Sequence, residues 1–384
     1  MTKRLCLPVL TLLFIAATAA AQEKAFRFPE AKYGKGELKY VHGIPVVVLS
    51  GTPEEMGEQL GALAIRHTDL NKLRDSVLNE IGLSSLRGLM TSAAKGLYNG
   101  FPSHHAKELE AAIKAGKCER DTAILANTLA DLSAGFGCST LIVEPERSKT
   151  GQPIFGRNFD WPPAPGLTDN ILVAVYRPEK KHAFATVTIT SLIGCISGMN
   201  DAGLAVTINE IHYANDVKGR QFNAKGTPLL LAYRRVLEEC STVAEAEKLI
   251  RSIDRTTTAL MTICDTKRGE VFEITTKNVE VRGPQHCVCC ATNHFRTEKL
   301  AIESEKVCRR YDILEKCQIG DGKLGIEDVA KELHAVHLGR ITIETMIFEP
   351  ATRTLHLAYG PGPATLRPLT KLDLKPLFEK GHAP

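Results

Sequence analysis

The amino-acid sequence predicts a single α+β domain in which strands are segregated between helical layers. Most of the first third reads as helix, with apolar residues recurring at helical spacing through KELEAAIKAG and TAILANTLADLSAG. From Gly135 to about Thr227 the chain changes to short apolar and β-branched runs: CSTLIVEP, QPIFGRNFDW, NILVAVYRP, HAFATVTITS, CISGMND and GLAVTINEI. No internal repeat, low-complexity tract or long linker divides the 384 residues.

Taken in order, the chain begins MTKRLCLPVLTLLFIAATAAAQ: a basic start at Lys3 and Arg4, an apolar stretch, then small residues up to Ala19 and Ala21. This order predicts a secretory signal over residues 1–21, cleaved after Ala21, and hence a secreted or periplasmic protein. The apolar stretch falls short of the ~20 residues a membrane span requires, so no stable span is expected once the signal is removed. Pro45 to Leu49 then reads as a strand, followed by a turn and one long helix. Thr52 before Pro53, with glutamates in the first turn, is its expected cap. Helical spacing continues from Ser84 to Ala134. Beyond the β-rich middle come helices over Pro228 to Glu239 and Val243 to Ser252, then strands in LMTICD, GEVFEITTK, NVEVRG and CVCCATNHF. A helix around Tyr311, a helical IEDVAKELHAVH and a last strand pair, TIETMIFEP and TLHLAYG, complete the chain.

Composition excludes more than it selects. With 43% hydrophobic residues the chain is ordinary globular protein, and its 48 basic and 44 acidic residues leave a net charge of only +4. No basic run or aromatic interleaving points to nucleic acid. Export would leave ten cysteines, besides Cys6 in the signal, in an oxidising compartment where disulfides are allowed. Cys118, Cys195, Cys240, Cys264 and Cys308 lie in apolar or helical contexts and read as small buried thiols. The cluster HCVCCATNH suggests a metal site only superficially. Strand alternation sends Cys287 and Cys289 to one face and Cys290 to the other, and no second half-site exists. GxxxxGK[ST], HExxH and GxSxG are missing, and GDGKLG at 320–325 lies between helices, where a turn is expected.

The stretch GFGCSTLIVEPERSKTGQPIFGRNFDW, residues 135–161, carries the chemistry. A break between Gly137 and Cys138 would give Cys138 a thiol and a free α-amino group at the head of a strand. With a pKa of ~7.7–8.0 that amine can accept the thiol's proton, making nucleophile and base one residue. Self-cleavage requires the thiol to approach the preceding carbonyl, which a glycine in a strained backbone permits. Downstream, strand alternation puts Arg157 and Phe159 on one face and Asn158 and Asp160 on the other, and a bend beside Pro162 would join Arg157 to Asp160. A guanidinium near the thiol favours thiolate, and a carboxylate orients the amine. The competing readings are a buried structural cysteine beside an exposed ion pair, and a cysteine–histidine dyad completed by His286, His294, His334 or His337.

GCSTLIV…GQPIFGRNFDW resembles the start of the catalytic chain in N-terminal-nucleophile cysteine hydrolases, which include choloylglycine hydrolases, acid ceramidase-like amidases and the isopenicillin N acyltransferase family. SGTPEEMGEQLGAL, GMNDAGLAVTINE, ATNHF, RRYDIL and TMIFEPATRTLHLAYGPGP are similar to further segments of the acyltransferase-type members, in the same order. The resemblance implies a four-layer αββα sandwich with a helical N-terminal segment, residues 22–137, that stays bound to the catalytic segment 138–384 after self-cleavage. It implies Cys138 as nucleophile and amino-group base, Arg157 and Asp160 beside it, Asn209 and Asn293 as oxyanion donors, and a later arginine matching Arg310, with Arg309 adjacent. The implied reaction is cleavage of a linear N-acyl amide through an acyl-thioester, without cofactor or metal. The alternatives are transfer of the acyl group to an amine, a secreted binding protein that never cleaves, and a thiol or metal protein centred on Cys287, Cys289 and Cys290.

Overall fold

A computed structural model describes residues 27–133, 137–211, 214–216 and 221–379; the expected signal over residues 1–21 lies outside them. The chain enters through strands β1 (Ala31–Tyr33), β2 (Gly36–Val41) and β3 (Ile44–Gly51), an antiparallel meander. Only β3, buried along nearly its whole length, matches the expected strand; β1 is exposed and β2 half-buried, so neither shows a long apolar run.

Helix α1 (Pro53–Leu63) begins at the expected cap. Thr52 Oγ1 accepts from the Glu55 backbone nitrogen at 3.2 Å and the Glu55 carboxylate accepts from the Thr52 nitrogen at 2.8 Å, a reciprocal capping box. The single long helix expected after it is two. A 3-10 turn at Ile65–His67 interrupts the run, and Asp69 caps a new helix, α2 (Leu70–Glu80), by accepting from the Lys72 nitrogen at 3.0 Å. Three more helices follow, α3 (Arg87–Tyr98), α4 (Ser103–Gly116) and α5 (Arg120–Leu132). Helices α1 and α4 pack backbone to backbone: a Cβ on Gly57 would lie 2.1 Å from the Glu108 carbonyl oxygen, so only glycine fits there.

The remaining elements are β4 (Gly137–Val143), β5 (Ile154–Asp160), β6 (Ile171–Pro178), β7 (Phe184–Ile189), β8 (Ser197–Asn200), β9 (Ala205–Glu210), α6 (Leu229–Glu239) and α7 (Val243–Ser252). After them come β10 (Ala259–Cys264), β11 (Gly269–Ile274), β12 (Val279–Arg282), β13 (Val288–Ala291), α8 (Arg309–Ile319), α9 (Ile326–Ala335), β14 (Thr342–Glu349), β15 (Thr354–Tyr359), β16 (Thr370–Asp373) and α10 (Lys375–Phe378).

The strands form two sheets. One runs β1-β2-β3-β6-β7-β8-β9-β10-β11-β12, antiparallel throughout except for the parallel pair β3–β6; the other runs β13-β4-β5-β14-β15-β16, wholly antiparallel. They face each other through β4 against β9 and β11 against β13, where Thr140 and Thr262 hydroxyls meet at 3.1 Å. Helices α1, α6 and α7 cover the larger sheet, and α8 and α9 the smaller. The result is a four-layer αββα sandwich, and its inner layers account for the nearly continuous burial of β4, β5, β9 and β10.

Buried charge ties the first helical layer together. Arg234 on α6 donates to both Glu108 oxygens on α4, at 2.7 and 2.6 Å, and to Glu238 at 2.8 Å, with its guanidinium 4.4 Å from the Tyr176 ring. Removing one member would strand the others without solvent.

Candidate active site

Cys138 is the second residue of β4 and fully buried, and three of its atoms are held by side chains from elsewhere in the chain. Its backbone nitrogen donates to Asn293 Oδ1 at 2.9 Å, its Sγ accepts from Arg157 Nη2 at 3.3 Å, and its carbonyl oxygen accepts from Arg310 Nη1 at 2.7 Å. Arg157, on the neighbouring β5, is itself fully buried. Its Nη1 crosses to the larger sheet, donating to the Ile196 carbonyl at 2.9 Å and to the Ser197 hydroxyl, so one guanidinium joins both sheets to the thiol. It also lies 4.8 Å over the Phe159 ring.

Asp160, the last residue of β5, pairs with Gly137. On its other side a β-bulge at Ile343 turns Thr342 so that its hydroxyl donates to Asp160 Oδ1. Asp160 Oδ2 lies 3.6 Å from Arg310 Nη1. Burial raises the Asp160 pKa against the pull of Thr342, Arg310 and Arg157. The expected joining of Arg157 to Asp160 does not occur. Among the described residues they form no ion pair, because β5 stays regular to its end and presents them on opposite faces, Arg157 at the thiol and Asp160 at Gly137. Gly137 leaves no room for a side chain: a Cβ there would lie 2.8 Å from Leu338 Cδ1 and 2.9 Å from Asp160 Cβ.

Asn293, expected to direct its amide protons at the substrate, turns its oxygen to the site. Oδ1 accepts from both Cys138 and Arg310 Nη2, each at 2.9 Å, while Nδ2 donates to the Glu210 carbonyl at 3.0 Å. Among the described residues Asn209 has no hydrogen bond to Cys138; its Nδ2 donates to the Thr292 carbonyl at 2.8 Å, bracing the residue next to Asn293. Of the two adjacent arginines only Arg310 reaches the site, since Arg309 points to solvent. Thr342, Ser197 and the Ile196 carbonyl complete the constellation. They come from distant strands, and only the register across the sheets places them.

Burial drives the Cys138 thiol up to about 11; the nearby Arg157 and Arg310 pull it down and Asp160 adds to the rise. In the uncut chain it is therefore a thiol at neutral pH. None of the four histidines weighed for a dyad bonds it. His286 meets the Gln318 carbonyl, His334 meets Thr365 and stacks on His337, and His294 Nδ1 lies 3.1 Å from Thr292 Oγ1, itself 3.6 Å from Cys308 Sγ. All ten cysteines of the described residues are unpaired thiols. Cys289 and Cys290 enter different cores on the two faces of β13, and Cys287 precedes the strand with a positive φ, so the three do not converge. Two other groups bring possible metal ligands together: His104, His105 and Glu238, and Glu144, Glu146 and Cys287. In the first, Arg234 and Lys181 already occupy the carboxylate at 2.8 and 2.6 Å.

Residues 147–311 match the family model of the acyl-coenzyme A:6-aminopenicillanic acid acyl-transferases. The match covers 165 of the 384 residues, a similarity over less than half of the chain. The family is one of the N-terminal-nucleophile hydrolases, and the matched span contains Arg157, Asp160, Asn209, Asn293 and Arg310, with Cys138 just ahead of it. An uncharacterised protein of Archaeoglobus fulgidus is 24% identical over 267 residues, covering 61% of this chain and 44% of that relative, so the chain spans less than half the relative's length. Among solved structures, a Caenorhabditis elegans N-acylethanolamine-hydrolyzing acid amidase ortholog is 16% identical, covering 56% of this chain and 93% of its own, with a TM-score of 0.44. A conjugated bile acid hydrolase variant from Clostridium perfringens is 14% identical over 62% of this chain and 93% of its own, with a TM-score of 0.45. Penicillin V acylase from Agrobacterium tumefaciens is 12% identical over 62% of this chain and 86% of its own, with a TM-score of 0.43. Among the described residues no helix is long and apolar enough to cross a membrane.

Proposed function

We propose that the protein is an exported cysteine hydrolase that cuts its own chain between Gly137 and Cys138 and then cleaves a linear N-acyl amide through an acyl-thioester on Cys138. The observation that carries this reading is that the nitrogen and the sulfur of one residue are each held by a separate polar side chain, Asn293 on the first and Arg157 on the second. A cysteine that only fills core needs neither contact.

In the uncut chain the Cys138 nitrogen is a peptide group, and the Asp160 carboxylate lies against Gly137 at the junction, its Oδ2 3.0 Å from where a Cβ on Gly137 would stand. Its raised proton affinity suits an exchange with the thiol as the sulfur adds to the Gly137 carbonyl. Transfer of the acyl group from nitrogen to sulfur frees the α-amino group, and attack of water on the resulting thioester frees the thiol and leaves Gly137 as a carboxylate. That amine then takes the thiol proton for attack on the substrate, while Asn293 Oδ1 fixes its direction and Arg310 fixes Asn293. The second proton on Asn209 Nδ2 is the donor proposed for the tetrahedral oxygen, the first being committed to Thr292. Water as acceptor makes the enzyme a hydrolase acting on carbon–nitrogen bonds; an amine acceptor would make it an acyltransferase. In an exported protein acyl-coenzyme A is scarce, which favours water.

Intact mass and N-terminal sequencing of the purified protein, beside Cys138→Ala, test the reading. Two chains, one starting at Cys138 and missing in the variant, are expected. A single uncut chain that also fails to form an acyl-thioester with any N-acyl amide would sink it in favour of a binding protein.

A further inference from the structure

An apolar cavity of ≈ 830 Å³, open mouth included, adjoins the Cys138 cluster. Its inner end is built from residues that also hold the site. Phe159 is the cross-strand partner of Cys138 and lies under the Arg157 guanidinium; Ile196 supplies the carbonyl that holds Arg157; Ile208 precedes Asn209. From there it runs between α2 and α5. Leu70 and Leu78 line it at the two ends of one helical face, eight residues or about 12 Å apart. The same holds on α5 from Thr122 to Ala130.

The lining is almost wholly aliphatic, and its only charged group is already committed. Arg74 donates to Thr122 Oγ1 at 2.5 Å, to Glu119 at 3.2 Å and to Asp75 at 2.8 Å. Beyond Arg74 the polar lining is limited to the Thr122 and Ser191 hydroxyls and the Trp161 indole, with no acidic side chain and no uncommitted basic one, so an amine, a carboxylate or a run of sugar hydroxyls buried there would be poorly paired.

We infer that this slot holds the acyl half of the substrate, and that this half is an unbranched aliphatic chain. The inference rests on the reading of Cys138 as acyl acceptor. In that reaction the amine leaves after the first half and the acyl group stays through both, so an apolar slot adjoining the Cys138 cluster suits the group that remains. A cavity walled by two turns of each of two helices is elongated, which suits a chain of methylenes better than a single ring. The amine half lies on the solvent side and contributes little apolar contact.

The test uses the purified full-length protein with N-acyl-p-nitroanilides from acetyl to dodecanoyl, and phenylacetyl for comparison. The expected kcat/KM rises about three- to fourfold per added CH2 until the slot is full. Ala126→Trp, which fills the α5 wall, should lower the ratio of dodecanoyl to acetyl kcat/KM at least tenfold. A flat or falling series, or phenylacetyl above every aliphatic substrate, overturns the inference while leaving amide hydrolysis intact. Binding of decanoate to Cys138→Ala, followed by calorimetry, gives a readout independent of turnover. If no amide is cleaved yet decanoate binds and Ala126→Trp abolishes it, the slot stands and the catalytic reading falls. Absence of decanoate binding by a folded Cys138→Ala overturns the slot.

Discussion

The side-chain oxygen of Asn293 accepts a hydrogen bond from the backbone nitrogen of Cys138 at 2.9 Å, across 155 residues of sequence. If that nitrogen becomes the catalytic amine, an acid in place of the amide stabilises its ammonium form. Asn293→Asp should therefore move the acid limb of the kcat/KM profile upward by about one pH unit, and Asn293→Leu should lower kcat/KM on the order of a hundredfold. Steady-state rates between pH 5 and 9 on the cut enzyme check both. An unmoved limb in Asn293→Asp would separate Asn293 from the amine.

Gly137→Ala should stall self-cleavage without unfolding the protein. The added methyl meets Leu338 and Asp160 at under 3.0 Å, and Asp160 is the group proposed to handle the thiol proton. An uncut band by denaturing electrophoresis, with a melting curve close to that of Cys138→Ala, is the expected result. Cleavage at the normal rate would mean that Asp160 can move aside at no cost to the reaction.

Glu344 gives a pH dependence of stability. It lies on the inner face of β14 opposite Phe159, and burial raises its pKa to about 7, with Arg157 opposing. The unfolded chain releases this proton near ~4.3. Between these values the folded state holds a proton that the unfolded state has lost, so stability falls as pH rises through the window and levels off above 7. Glu344→Gln removes the titration. Relative to the natural protein it should gain on the order of 2 kcal/mol between pH 5 and pH 8, read from urea unfolding at both values. Parallel behaviour of the two proteins would show that Glu344 does not titrate in this range.

Cys308 should be the first thiol to alkylate. Burial pushes its pKa up, but hydrogen bonds from His294, the Tyr311 backbone and Thr292 outweigh burial and bring it to about 6. Cys138 and the buried Cys195, at about 11 and about 12, remain protonated at neutral pH. Brief iodoacetamide treatment of the folded Cys138→Ala protein at pH 7, followed by peptide mapping, should label Cys308 ahead of the half-buried Cys287, and the label should vanish in Cys308→Ser. Labelling that begins only above pH 8 would contradict the thiolate.

The layers of the fold were legible because burial leaves a periodic trace. GLAVTINEI and LMTICD read as strands for the same reason that β9 and β10 are buried on both faces. What escaped were elements without such a trace: β1 and β2, which are exposed or half-exposed, and the break at Asp69, where a cap interrupts continuous helical spacing. In the site, Gly137, Cys138, Arg157 and Asp160 could be picked out because they share one stretch of sequence. Their mutual arrangement could not, since it depends on a bulge at Ile343 nearly two hundred residues away and on Arg157 crossing to Ile196 and Ser197. The orientation of Asn293 is of the same kind. Sequence gives a carboxamide, and neighbours such as Cys138, Arg310 and the Glu210 carbonyl decide which end faces the nucleophile.

The parallel pairing of β3 with β6 has a consequence for any nick made between them in sequence. Strand β3 lies ahead of residue 137 and β6 after it, yet they are adjacent in the interior of one sheet. Fragments produced by the nick would share a domain core and not a subunit boundary. They would come apart only by unfolding, so their melting temperature would rise with concentration as an obligate dimer's does, and the shorter fragment expressed alone would present an unpaired, apolar strand edge to solvent.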